Sequence, residues 1–69
     1  MTLTPAYGRD YKSVKAVKED FDAGKDFMIN DVSSKDDGRY ANKEDLIQAG
    51  VKAVKIRYAR LTKVTILKL

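Results

Sequence analysis

Residues 51–69, VKAVKIRYARLTKVTILKL, limit the folds open to this chain more than any other stretch. Val51, Val54, Ile56, Val64, Thr65 and Ile66 are β-branched, the residue type that suits a pleated, half-buried surface. Val54, Ile56 and Tyr58 alternate with Lys55 and Arg57, which is the period of a strand. Val51, Val54, Tyr58 and Leu61 also fit a helical stripe, and Ala, Lys and Arg are good helix formers. Nor does any Gly, Asn or Pro mark a turn at Ala59-Arg60-Leu61. The reading favoured is two strands, 52–58 and 62–68, because the second is hard to read otherwise and needs a neighbour. The same residues hold six basic side chains and no acidic one, which leaves eight bases against ten acids in residues 1–50.

At 69 residues there is room for a single domain, 1–69, with one small core. A domain of this size buries only about 60% of the surface its unfolded chain exposes. With no Cys and no His there is neither a disulfide framework nor an ordinary zinc site. Stability must come from packing or from a partner, and self-association is one such partner. A chain that is 43% hydrophobic and 35% charged reads as globular. No apolar run approaches the ~18 residues that span a bilayer. MTLTPAYGRD lacks the basic and apolar regions of a signal peptide, so a cytoplasmic, reducing setting is expected and no membrane. The net charge of +4 permits attraction to nucleic acid or anionic surfaces but is common in small proteins.

In chain order, Thr2-Leu3-Thr4 suits a short edge strand stopped by Pro5, which cannot donate to a ladder. The following loop carries Tyr7 and Tyr11 on either side of Arg9. Nucleobases stack on such rings. The plainer expectation is that both rings lid the core with their hydroxyls in water. Ser13 is a suitable N-cap, Val14, Val17 and Phe21 form an apolar stripe, and Gly24 is a stop, which predicts a helix over 13–23. Glu19, Asp20 and Asp22 crowd its C-terminal end, where the helix dipole disfavours carboxylates, and the basic tail is the expected compensation. Residues 27–32 predict a strand, Asp37-Gly38 a hairpin turn, and 39–41 a brief returning strand. Asn42 caps a second helix with Glu44 and Asp45 in its first turn, ended by Gly50. The order β-α-β-β-α-β-β predicts an α+β domain, a mainly antiparallel sheet with two short helices on one face.

Three segments, LTPAYGRDYKS (3–13), AGKDFMINDVSSKDDGRYANKEDL (23–46) and VKIRYARLTKV (54–64), resemble short uncharacterised proteins encoded in phage genomes. The resemblance covers well over half the chain. It implies a small accessory protein without catalytic activity, and it transfers no functional residues.

The residues themselves point away from catalysis. Gly38 and Glu44 have the spacing of positions six and twelve of a calcium loop, but Lys35 would then stand where an oxygen ligand is needed. The many aspartates are expected on a helix end and a turn, in solvent, whereas an acid–base pair needs one carboxyl desolvated. The usual bases and nucleophiles are missing, and no Gly-rich phosphate loop is present. No catalytic residue, metal, cofactor or small-molecule substrate is therefore expected. Binding remains. Lys55 and Arg57 should project from the sheet opposite Val54, Ile56 and Tyr58, with Lys63 and Thr65 beside them on the last strand. That strand has apolar residues on both faces, Val64 and Ile66 on one, Leu61, Leu67 and Leu69 on the other. The expected function is an accessory or adaptor protein that binds a protein partner or itself through Leu67 and Leu69, with Lys55, Arg57 and Lys63 as a charged rim. The alternative is nonspecific nucleic-acid binding by those cations plus Arg60. Leu67→Ser should impair the first and spare the second.

Overall fold

The computed structural model describes residues 1–69 and orders them as β1 (Thr2–Pro5), α1 (Val14–Asp22), β2 (Phe27–Ile29), β3 (Tyr40–Ala41), α2 (Lys43–Gln48), β4 (Ala53–Tyr58) and β5 (Lys63–Lys68). The fold is α+β. Its five strands form one mixed sheet in the order β3-β2-β1-β4-β5.

β1 is the middle strand of that sheet, not an edge. It runs antiparallel to β2, with Leu3 opposite Ile29, and parallel to β4, with Thr2 opposite Lys55. Asn30 N donates to Thr2 O at 2.9 Å and Lys55 N to Met1 O at 3.0 Å, so the strand is bonded on both sides. Pro5 occupies its last position, where a missing N–H interrupts only the end of the ladder.

α1 forms where its cap and stripe require. Ser13 Oγ accepts from Ala16 N at 3.1 Å, and Val17 and Phe21 are buried on one face. The carboxylates at its C-terminal end are compensated locally, not by the basic tail. Asp22 pairs with Lys18 (3.1 Å) and Lys43 (2.9 Å), and Asp20 with Lys25 (3.5 Å). Asp20 also accepts from the Tyr11 hydroxyl at 2.8 Å.

These contacts set an acid limb. The Tyr11 hydrogen bond, with Lys25 and Arg9 nearby, holds the Asp20 carboxyl below the usual range; hydrogen bonds from Lys43 and Lys18 do the same for Asp22. A carboxylate whose pKa is depressed by folding contributes stability that is present above its unfolded value, about 3.9, and lost as pH falls through the folded one. Denaturant midpoints are therefore expected to hold down to about pH 5 and to fall below about pH 4. Asp20→Asn should lower the midpoint at neutral pH and flatten that acid limb; acid limbs of equal slope would show that Asp20 is not one of the groups responsible.

β2 stops at Ile29 because Asp31 turns the chain. Ser33 N and Oγ donate to Asp31 Oδ1 at 3.2 and 2.7 Å, and Asp31 N donates to Asp37 Oδ1 at 2.8 Å. Residues 30–39 are thus a long polar loop in place of a tight hairpin. Ile29 N donating to Arg39 O (2.7 Å) and Gly38 N to Ile29 O (2.8 Å) close it. α2 begins with a full capping box between Asn42 and Asp45 and buries Leu46.

β4 and β5 pair in register from Ala53–Lys68 to Tyr58–Lys63. Their turn is residues 59–62, in which Arg60, Leu61 and Thr62 hold φ of 65°, 70° and 55°. Left-handed backbone costs an L-residue roughly 1–2 kcal/mol, and a β-branched residue such as Thr62 rarely adopts it. The six paired positions below the turn hold it in that shape.

Leu3, Val17, Phe21, Phe27, Val54 and Ile56 are fully buried at the centre of the core. The Phe27 ring lies against Tyr11 (6.1 Å between centroids) and Phe21 (5.8 Å), while Tyr58 meets Tyr11 edge-on at 6.4 Å. Side chains of α1 and α2 enter this same cluster, so both helices cover one face of the sheet. No helix is long and apolar enough to cross a membrane.

Candidate functional site

The other face of the sheet is uncovered. β4 alternates strictly, with Val54, Ile56 and Tyr58 buried and Ala53, Lys55 and Arg57 exposed. Across from Lys55 stands Ile66 and across from Arg57 stands Val64, 68% and 45% exposed. Lys68 lies opposite Ala53 on the same face. On the far side of β1, half-exposed Tyr40 faces Met28. The result is a central pair of cations with an aliphatic pair beside it on the edge strand.

Lys55 and Arg57 thus lie where the alternation predicts. The residues beside them do not. Thr65 pairs with Ile56 and is buried; Leu67 pairs with Val54 and is only 7% exposed. Leu69 packs against the core, its N–H donating to Lys52 O at 2.9 Å. Leu67 is therefore an interior residue and Leu69 a partly buried one packed on the core, and the outward apolar pair is Val64 and Ile66. The cause is a slip of one position. A three-residue turn at 59–61 would set Thr62 opposite Tyr58, whereas the observed turn runs through Thr62 and sets Lys63 there. A slip of one residue exchanges the two faces of a strand. Lys63 consequently belongs to the end of β5 nearest the turn, and Arg60 to the turn itself.

The charges are segregated. The five ion pairs use Arg9, Lys18, Lys25, Arg39 and Lys43. None of Lys52, Lys55, Arg57, Arg60, Lys63 and Lys68 takes part in one, contrary to their expected pairing with Glu19, Asp20 and Asp22.

Two clefts flank the β4–β5 turn. One is lined by Lys12, Arg60, Leu61 and Lys63. The other is walled by Thr4, Tyr7, Gly8, Arg57 and Thr62, among others. Thr4 lines this second cleft, and its Oγ1, itself shielded from solvent, is the one buried side-chain polar atom of the chain without a hydrogen-bond partner. The two tyrosines of the first loop have parted. Tyr7 is fully exposed, while Tyr11 is buried. Desolvation, together with the hydrogen bond to Asp20, pushes the Tyr11 phenol up to about 12. Arg9 is engaged within the fold. Its guanidinium lies 4.5 Å from the Phe27 ring centroid, and it donates to the Tyr11 hydroxyl at 3.1 Å and to the Asp26 carbonyl.

No protein-family model, curated protein or solved structure matches the chain.

Proposed function

We propose that this chain is a small non-enzymatic accessory module that docks an acidic protein partner on the uncovered face of its sheet. The observation that carries this reading is the direct pairing of exposed Ile66 and Val64 with Lys55 and Arg57. Desolvating the aliphatic pair favours association at about 25 cal/mol per Å² of apolar surface removed from water. The cations beside it steer an acidic partner and repel basic ones. The same cations oppose a second copy of the chain, since stacking two such faces brings like charges together in a drying interface. The carboxylates with lowered pKa, Asp20, Asp22 and Asp31, are held by ion pairs and hydrogen bonds, the opposite of the desolvation a general acid requires.

Photo-cross-linking residues placed at Ile66 and, as a control on the helical side, at Ile47 test the reading. Position 66 should trap an acidic protein that position 47 does not. The purified partner should then lose at least about tenfold in affinity for an Arg57→Glu variant. Equal trapping from both positions would remove the sheet face from consideration.

One observation favours a second reading, sequence-independent binding of nucleic acid: all six cations of residues 51–69 are free of carboxylates and available to phosphates.

A further inference from the structure

The β4–β5 turn carries more than the sheet face does. A turn that must hold three consecutive non-glycine residues in left-handed backbone is an unusual choice at an exposed position. Outliers of this kind gather at ligand contacts, where the constrained shape presents particular groups. Here the left-handed turn carries one cation, Arg60. Arg60 lines one cleft with Lys12 and Lys63, and no carboxylate shares it. The amides of residues 59–62 make no hydrogen bond to another backbone group, which leaves them as free donors. Immediately across the turn, Thr62 and Arg57 wall the second cleft with Thr4 and with Tyr7, whose ring is wholly exposed. A three-cation cleft with an exposed aromatic ring across the turn supplies the two contacts that single-stranded nucleic acid uses: phosphates on the cations, a base on the ring. A duplex cannot use the ring, because its bases are already stacked.

We infer that single-stranded nucleic acid crosses the β4–β5 turn, its backbone phosphates held by Lys12, Arg60 and Lys63 and one base stacked on Tyr7 against Thr4 and Arg57. This deepens the second reading of function and rests on it, and it places the contact at the turn and not on the sheet face.

Fluorescence anisotropy with labelled oligothymidylate and with a duplex of equal length, titrated from about 50 to 200 mM salt, tests it. Single strand should bind more tightly than duplex. The variant Lys12→Ala/Arg60→Asn/Lys63→Ala, with Asn chosen because it tolerates left-handed backbone, should lower the steepness of the salt dependence by about 2, at roughly 0.7 for each phosphate contact of a single strand. Tyr7→Ala should weaken single-strand binding roughly 5- to 150-fold and leave duplex binding unchanged. Lys55→Ala/Lys68→Ala should change little. Should the face variant abolish binding while the turn variant and Tyr7→Ala do not, nucleic-acid binding survives and the turn is overturned as its site. No binding of either probe at the lowest salt overturns both. Circular dichroism of each variant establishes that it is folded; all the substituted side chains are exposed.

Discussion

Phe27→Ala is expected to leave the domain largely unfolded in the absence of denaturant. The ring is fully buried and is the meeting point of the core's aromatic contacts, with Tyr11 on one side and Phe21 on another. Truncating a buried Phe to Ala costs about 3–5 kcal/mol, from lost transfer energy and from the cavity left behind. A chain of this length has a total stability of roughly 3–10 kcal/mol, so the loss is comparable with the whole. The Arg9 guanidinium would also lose the ring it rests on, which loosens the loop that Arg9 ties to Tyr11 and Asp26. Urea titration followed by far-ultraviolet circular dichroism measures this. The expected trace has little or no native baseline, while Tyr7→Ala, at an exposed ring, should match the parent. A Phe27→Ala midpoint close to the parent's would mean that the aromatic cluster is not what holds the sheet to α1.

Leu67→Ser and Ile66→Ser should separate cleanly despite being neighbours. Leu67 points into the core opposite Val54, and Ile66 points to solvent opposite Lys55. The first change removes buried methyl groups and inserts a hydroxyl, at a cost of about 3–5 kcal/mol. The second is expected to stay within about 0.5 kcal/mol, the ordinary range for an exposed position. At about 4–8 °C per kcal/mol for a domain this small, the two thermal midpoints should differ by more than 10 °C, on the order of 20 °C. Partner binding should rank the other way among folded variants, with Ile66→Ser the damaging one. Leu67→Ser, which the sequence suggests as a probe of docking, would instead report loss of fold. If both variants melt early, the register of β5 is not the one described.

The contrast between these neighbours also shows what can be read from the chain before its structure. Signals that reside within a few residues were legible: the Ser13 and Asn42 caps, the Val17 and Phe21 stripe, and the alternation that turns Lys55 and Arg57 outward. What failed depended on information spread more widely. Register in the last hairpin hangs on one residue of turn length, and the turn carries no Gly, Asn or Pro because its left-handed residues are held by the strands below it. The long loop after β2 forms because Asp31 and Asp37 satisfy backbone amides there, so the Asp37-Gly38 pair never closes a tight hairpin. The position of β1 depends on a pairing with β4 that no local pattern encodes. Tyr7, Val64 and Ile66 were visible as residue types, but which of the apolar and aromatic side chains would remain in water was settled by packing.

β1 unites the sheet. It is four residues long, yet it is the only strand that touches both halves of the sheet, β2 with β3 on one side and β4 with β5 on the other. Each half alone is a two-stranded ribbon, which is marginal in water. Joining them requires Thr2 and Leu3 to find Lys55 and Ile56, roughly fifty positions further along the chain, a closure whose entropy must be met before most of the sheet can reward it. The two ribbons therefore stand or fall together. β1 is the seam of the molecule, and anything that draws those few residues away parts the cationic strand and its neighbour from the rest.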